Sequence, residues 1–489
     1  MTFMQTGNTS GEQHAQLQET FTLQQGMHVH LVGIGGSGIS AIAWVLLGRG
    51  FTVTGSDLQR NALTAALAAA GVDVYQGHRA AHVAGADVLV ISSAVPDSNP
   101  EVVAARTAGI PVLKRADFLG RLMADNVGVA VAGTHGKTTT TSLIAHVLLE
   151  NGQDPSIVVG GVLPSLSRNG RAGQGDLFVV EADEYDHMFL GLRPRLEIIT
   201  NIEHDHPDVF PTRAAYEEAF AHFAALLPAG GHLVACVDDA GVRRLLEQLR
   251  QPPFTVITYG LASGDAPPPR LAATDLRLNR HGGTDFVVLE AGETLGLARL
   301  RLPGDHNVQN ALAAIAACRV LGLSFAAMTT ALTSFGGVGR RFQVVGEVGD
   351  VTVIDDYAHH PTEIRATLAA ARRRYPGRRL WAVWQPHTFS RTKLLLPAFS
   401  ASFDDADRVV VLDIYRSRER NTLGIDAGLV VAQMEHANAH YAGDHEAAAG
   451  YILDRVRPGD VILTLGAGDG DRVGRRILAA LSDRVEGAC

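Results

Sequence analysis

The sequence predicts an α/β protein of parallel sheets wrapped by helices and organised as three domains. Three observations carry this. Short β-rich runs alternate with Ala-rich segments of helical period, the alternation restarts twice, and 489 residues ask for about three domains at roughly 150 residues each. The first run, His28-Val29-His30-Leu31-Val32, leads into a helical stretch near 37–47, a strand at 51–54, a helix near 62–70 and a strand at 87–91. The rhythm restarts at Gly128-Val129-Ala130-Val131-Ala132, and again at Val351-Thr352-Val353-Ile354 after the turn-rich Gly336-Gly337-Val338-Gly339. Further strands are expected at 380–383, 409–412 and 461–465. Boundaries near 125 and 335 then give a polar, disordered tail (1–22), a first domain (23–125), a central domain (126–335) and a C-terminal domain (336–489).

Composition narrows the function classes. With 42 basic against 51 acidic residues the net charge is −9, which argues against binding to nucleic acid or to an acidic membrane surface. No run approaches the roughly 20 apolar residues of a membrane helix, and the first 25 residues lack the basic start and apolar stretch of a secretory signal. Cys236, Cys318 and Cys489 are scattered without a CxxC, so a reducing, cytoplasmic setting is expected. Only Lys114, Lys137 and Lys393 among the basic residues are lysines, which makes each worth locating.

Two Gly-rich turns carry the chemistry. Gly33-Ile34-Gly35-Gly36-Ser37-Gly38 follows a strand and opens a helix, so its amides can face a diphosphate. Asp57, after the second strand, stands where an acid often meets a ribose hydroxyl, and Ser92 and Ser93 end the strand at 87–91 on the edge that lines a ligand crevice. These facts fit a nicotinamide dinucleotide as well as another nucleotide diphosphate. Gly133-Thr134-His135-Gly136-Lys137-Thr138-Thr139 is a shortened variant of the G-x-x-x-x-G-K-[ST] loop. Its amides and Lys137 can hold phosphates while the Thr138 hydroxyl ligates Mg²⁺. Two acidic clusters follow strands downstream: Glu181-Ala182-Asp183-Glu184 and Glu203-His204-Asp205-His206. They suit Mg²⁺; the second also offers mixed ligands for zinc, although neighbours on an extended chain point apart and cannot all share one ion.

Taken together, the Gly133–Thr139 loop, Glu181-Ala182-Asp183-Glu184, Asp205-His206, Gly304-Asp305-His306-Asn307-Val308-Gln309-Asn310 and Gly339-Arg340-Arg341-Phe342 resemble the ordered signature of the Mur ligases, ATP-dependent amide ligases of bacterial cell-wall precursor synthesis. Gly33 to Gly38, Asp355-Asp356-Tyr357-Ala358-His359-His360-Pro361-Thr362-Glu363, Gln385-Pro386-His387 with Arg391, and Gly466-Ala467-Gly468-Asp469 resemble the alanine-adding branch of that family. The resemblance implies a Rossmann-like N-terminal domain for a UDP-sugar, a central P-loop-type ATPase domain with a mostly parallel sheet, and a Rossmann-like C-terminal domain for the amino acid. Several sister ligases carry a carbamylated Lys in the central domain; the segment that resembles its place, Tyr216-Glu217-Glu218-Ala219-Phe220, holds Phe220, and lack of that Lys is what the resemblance implies for the alanine-adding branch.

The same resemblance implies the substrates UDP-N-acetylmuramate and L-alanine, the cofactors ATP and Mg²⁺, and a set of roles. UDP-sugar binding falls to Gly33, Gly35, Gly36, Ser37, Gly38, Asp57, Ser92 and Ser93. ATP falls to Gly133 through Thr139, to His306, Asn307 and Asn310 just before an Ala-rich helix, and to Arg341 and Asp356. Helix capping stays open as the alternative for the asparagines. Thr138 and Glu181 are expected to hold one Mg²⁺, and Glu181 with His206 a second. Arg391 is expected to pair with the amino acid's carboxylate and His359 or His387 to take its proton, with His360 equally suited to a structural role. Thr388 stands where many relatives have Arg, which leaves one carboxylate contact in doubt. A monomer or weak homodimer is expected. The alternatives weighed are the murein-peptide (tripeptide) ligase of cell-wall recycling, a nicotinamide oxidoreductase, which leaves Lys137 unexplained, and a catalytically dead nucleotide-binding regulator.

Overall fold

The computed structural model describes residues 21–262 and 268–486. The expected disordered tail therefore lies almost wholly outside the described residues, as does Cys489. Cys236 and Cys318 are buried free thiols. No helix among the described residues is long and apolar enough to cross a membrane.

The N-terminal sheet is five-stranded and parallel, in the order β3 (Asp73–Gln76), β2 (Thr52–Asp57), β1 (His28–Val32), β4 (Val88–Ile91), β5 (Val112–Lys114). Strand order reverses beside β1, so the Gly-rich turn leaving it faces the crevice at a switch point. The second strand runs on to Asp57, three residues beyond the expected stretch, because Gly55 and Ser56 keep pairing with β1.

The central sheet has ten strands. β6 (Val127–Ala132) lies between β10 (Pro194–Ile199) and β9 (Leu177–Glu181), all parallel. One flank continues through β11 (His232–Cys236) and β12 (Thr255–Leu261) to β13 (Leu271–Leu278), β14 (Thr284–Glu290) and β15 (Glu293–Arg299), the last three an antiparallel meander. The other ends in the antiparallel hairpin β7 (Ser156–Leu163) and β8 (Arg168–Arg171). The phosphate-loop motif and both acidic clusters thus leave three adjacent parallel strands at the same edge, which is what gathers them into one site.

The C-terminal sheet runs β16 (Gln343–Val348), β17 (Val351–Asp356), β21 (Val461–Leu465), β18 (Leu380–Trp384), β19 (Arg408–Leu412), β20 (Ala439–Gly443), with only β16 antiparallel. Apolar side chains pack on both faces of this sheet, as buried parallel strands require. The first two sheets, by contrast, share a core: Ile42, Val45, Phe118 and Leu119 pack in one cluster with Phe178, Val180, Phe220 and Phe223. Phe220 is fully buried against Phe189 and Tyr216.

Candidate active site at the meeting of three sheets

The phosphate loop is built between β6 and the helix Lys137–Glu150. Gly136 takes φ +81°, where a Cβ would also stand 2.5 Å from the Asn310 amide oxygen, so only glycine fits. The loop is pinned from β10: Asn201 Oδ1 accepts from the His135 amide at 2.7 Å, and Thr200 Oγ1 donates to the His135 carbonyl at 2.6 Å. Lys137 Nζ donates to the carbonyls of Gly133 and Thr134 at 2.5 and 3.1 Å and lies 2.8 Å from the Glu184 carboxylate. Burial disfavours its charge, but Glu184 and Asp183 outweigh burial and raise it above the usual lysine value. The ammonium is thus held beside the place where phosphate oxygens would lie.

Thr138 Oγ1 donates to Glu181 Oε1 at 2.8 Å, and the Gly160 amide donates to Glu181 Oε2 at 2.6 Å. A hydroxyl and a carboxylate so placed beside a phosphate loop are the oxygen donors that Mg²⁺ takes. His206 contacts carboxylates of both acidic clusters. Its Nε2 is 3.5 Å from Glu184 and 3.8 Å from Asp205. Burial works against its charge, yet Asp205 and Glu184 raise it above the ordinary histidine value.

The side chains from Glu203 to His206 do not all share one site, although Asp205 and His206 lie 3.8 Å apart beside Arg391. Glu203 Oε2 lies 2.9 Å from His135 Nε2, His204 Nε2 lies 2.8 Å from the Phe210 carbonyl, Asp205 receives Arg391, and His206 faces Glu184. Ligand atoms of His135, Glu203 and His360 lie within 4.8 Å of one another, a grouping whose members sequence spacing alone would not join. Burial disfavours charge on His135, but hydrogen bonds that its ring donates to Glu203 and Glu363 raise it to about 9. This makes His135 a cationic clasp between the central and C-terminal domains.

Those two domains meet over the loop and enclose a cavity of about 260 Å³, lined among others by Gly136, Thr139, His306, Asn307, Asn310, Arg341 and Asp356. The segment 305–310 does not precede the helix but forms its first turns, since the helix runs Asp305–Val320 from a Gly304 cap. The asparagines do not cap it: Asn307 Nδ2 donates to the Pro303 carbonyl at 2.7 Å, and Asn310 Oδ1 accepts from Thr140 Oγ1 at 3.2 Å. Burial lowers His306 to about 4, so its ring is neutral at physiological pH. Arg341 Nη2 is 3.5 Å from Thr138 Oγ1. Asp356 accepts from the Phe342 and Ala358 amides at 2.7 and 2.8 Å, while burial raises its carboxyl to about 6.

Across the same junction Arg391, nearly fully buried, donates through Nε and Nη2 to Asp205 at 2.8 and 3.1 Å, and its Nη1 lies 3.1 Å from His387 Nδ1. Its donors, expected to await an amino acid's carboxylate, are thus engaged by a carboxylate of the central domain. His387 stacks on Tyr415 and lies edge-on to His359. Burial lowers His359 to about 4 and His387 to about 3. His360 caps the helix Pro361–Arg374, its Nδ1 accepting from the Thr362 amide at 3.3 Å.

In the N-terminal domain the Gly33 and Ile34 amides donate to the Ser56 carbonyl at 2.8 and 3.1 Å, and the Gly35 amide to Asp57 Oδ2 at 2.9 Å. Gly33 takes φ +83°, and a Cβ there would lie 2.8 Å from Ser92 Oγ, so Ser92 packs against the turn. Gly36, Ser37 and Ser93 are exposed, and Gly38 lies under Arg115. Sequence reasoning missed Arg115: it donates to Asp183 at 2.8 Å and so links this turn to the acidic cluster. Its signal was the end of β5, a crevice position. Glu101 was also missed. Fully buried on the helix Pro100–Thr107, it accepts from Ser56 Oγ at 2.6 Å and lies 2.6 Å from His82 and 3.1 Å from His78.

Residues 28–126 match the family described as "Mur ligase family, catalytic domain", 131–318 the "Mur ligase middle domain" and 340–468 the "Mur ligase, glutamate ligase domain". The chain is 45% identical over 460 residues to the UDP-N-acetylmuramate–L-alanine ligase of Salinibacter ruber, covering 93% of this chain and 95% of that protein. The chain belongs to the Mur ligase family. Another relative of the same description, from Roseiflexus castenholzii, is 47% identical over 469 residues, covering 93% of this chain and 98% of its own. Among solved structures, the UDP-N-acetylmuramate-alanine ligase of Thermotoga maritima superposes with a TM-score of 0.79 at 29% identity, covering 95% of this chain and all of that one. A murein peptide ligase from Psychrobacter arcticus superposes at 0.69 with 27% identity, over 93% and 99%. The three Mur ligase segments divide this chain close to where the three sheets do.

Proposed function

We propose that this Mur ligase joins L-alanine to the lactyl carboxylate of UDP-N-acetylmuramate at the expense of ATP, in peptidoglycan precursor synthesis. The observation that carries the reading is the identity of about 45% to alanine-adding ligases over nearly the whole chain, set on a site where a phosphate loop, a carboxylate–hydroxyl pair and a cluster of neutral histidines converge. The murein-peptide reading is less favoured, since the likeness to that enzyme is structural and at lower identity.

A carboxylate does not exchange its oxygen for an amine in water, because oxide is a poor leaving group. Phosphorylation solves this: a lactyl carboxylate oxygen attacks the γ-phosphorus of ATP, the bond to the bridging oxygen breaks, and ADP leaves with that electron pair. The alanine nitrogen then attacks the acyl carbon, and the tetrahedral adduct expels phosphate. Phosphoryl transfer asks of a protein mainly positioning and charge neutralisation. Lys137 supplies a fixed ammonium at the phosphate loop, and Arg341 adds a second cation from the C-terminal domain. Thr138 and Glu181 fit Mg²⁺, which when bound would neutralise charge on the phosphate oxygens. Because His359 and His387 are neutral, either can accept the proton that the amino acid's ammonium must lose before its nitrogen attacks. Arg391 serves the amino acid's carboxylate by loosening or sharing its bond to Asp205.

The test is phosphate release by the purified enzyme with ATP, Mg²⁺, UDP-N-acetylmuramate and either L-alanine or the tripeptide. Release with L-alanine supports the reading; release only with tripeptide overturns it. The same assay with glycine and L-serine reports selectivity.

A further inference from the structure

The hairpin β7–β8 stands at the edge of the central sheet yet touches elements of all three domains. Its outer strand packs along the helix Ser37–Gly48 that opens from the first Gly-rich turn. Gly170 permits this approach, since a Cβ there would stand 2.2 Å from the Ala41 carbonyl oxygen, and the Arg168 guanidinium lies 4.7 Å over the Trp44 ring. Between them Asn169, with no exposed surface, donates from Nδ2 to the Ser37 carbonyl at 2.7 Å and to Ser40 Oγ at 2.9 Å. Ser40 Oγ donates in turn to the same carbonyl at 3.0 Å. Asn169 Oδ1 is buried with no hydrogen-bond partner among the described residues. An unpaired buried acceptor is costly, and apolar packing alone would not call for an amide here.

The inner strand reaches the other two domains' business. The Gly160 amide holds Glu181 Oε2, and a Cβ on Gly161 would stand 2.7 Å from Val338 and 3.0 Å from the Thr138 methyl. The Val162 carbonyl accepts from the Gly339 amide at 3.3 Å, at the passage into the C-terminal domain. Strand geometry separates these contacts from Asn169 by one short hairpin whose register is fixed by the pairs Ile157↔Arg171 and Val158↔Gly170.

We propose that Asn169 is a positioning residue through which the β7–β8 hairpin couples the UDP-sugar site to the phosphate loop and its metal-holding pair. This rests on the function proposed above. A diphosphate on the turn at 33–38 fixes the first turn of the helix Ser37–Gly48, the two hydrogen bonds of Asn169 transmit that fixation to β8, and β7 presents Gly160 and Gly161 to Glu181 and Thr138. Coupling of this kind is reciprocal: each ligand tightens the other by the same factor.

The test measures affinity for a non-hydrolysable ATP analogue with Mg²⁺ by calorimetry, with and without saturating UDP-N-acetylmuramate. Wild type is expected to bind the analogue about tenfold more tightly with the sugar nucleotide present. In Asn169→Ala the factor falls towards one, while affinity for the analogue alone changes by less than about twofold. Ser40→Ala, which removes one of the two acceptors and no core volume of consequence, lowers the factor in part and serves if Asn169→Ala does not fold. Arg168→Ala, which removes only the cation over Trp44, keeps it. A wild-type factor of one overturns the proposal outright, and an undiminished factor in Asn169→Ala overturns it and leaves the Arg115–Asp183 bridge as the path between the sites. Turnover of wild type with L-alanine is measured first: its absence overturns the functional reading, whereas turnover with an unaltered coupling factor overturns this inference alone.

Discussion

Replacing Glu197 by methionine should stabilise the protein, and more so as the pH rises. Glu197 lies on β10, paired with Ala130 of β6 and Leu233 of β11, and both its carboxyl oxygens are buried without a partner among the described residues. Burial pushes the carboxyl well above its usual value of 4.5. A neutral carboxyl with unpaired oxygens costs about 1–3 kcal/mol relative to an apolar group of similar shape. A second cost arises from proton linkage. The folded state holds a proton that the unfolded chain releases above pH 4.5, so stability falls as pH rises from there towards the folded-state value, by about 1.4 kcal/mol per pH unit. Methionine removes both costs at similar volume. A three-domain chain need not unfold in one step, so the assay is calorimetric Tm of the transition that includes the central sheet. At about 2–4 °C per kcal/mol for a domain of this size, Glu197→Met should raise Tm by several degrees, and by more at about pH 8 than at about pH 5. A lower Tm, or a gain that does not change with pH, would refute the reasoning.

Lys137→Met should cut phosphate release at least about 100-fold, because one preorganised cation at the transferring phosphate is lost; its Tm, lowered because buried Glu184 loses its ammonium partner, is measured alongside to show that the protein is still folded at the assay temperature, and full turnover would remove Lys137 from the mechanism. Glu101 is opposed by burial but held down to about 2 by the His30 ring 3.8 Å away and by hydrogen bonds from Ser56 and His82. Its stabilisation is therefore full above pH 4.5 and fades as pH falls towards about 2. Glu101→Gln should lower Tm at neutral pH, converge with wild type in acid, and raise KM for the sugar nucleotide rather than for ATP. With His359 and His387 lowered to about 4 and about 3, neither candidate base changes charge between about pH 7 and 8.5, where Asp356, raised to about 6, is already ionised. The logarithm of kcat/KM for L-alanine should then rise with a slope of one in that window, and a slope of two would show an ionising imidazole.

Much of this architecture was legible because parallel strands buried on both faces read as apolar runs, and the Gly-rich turns mark where such strands hand over to helices. The elements that went unread are those without that signature. The meander β13–β15 is partly exposed and antiparallel, and the hairpin β7–β8 interrupts its apolar run with Gly160 and Gly161. Within the site, residue types and their order were legible, but partners across domains were not. Nothing in the spacing of Asp205 and Arg391, 186 positions apart, tells that they pair, or that His135 joins Glu203 to Glu363. His206, whose ring faces Glu184, takes φ +55°, a backbone state its sequence does not announce.

The central claim is that ATP activates the lactyl carboxylate by phosphorylating it, and oxygen labelling tests this directly. UDP-N-acetylmuramate labelled with ¹⁸O in both carboxylate oxygens is turned over with ATP, Mg²⁺ and L-alanine, and the released phosphate is examined by mass spectrometry. The account predicts one ¹⁸O in each phosphate and one retained in the amide carbonyl. Unlabelled phosphate formed alongside the amide would contradict it.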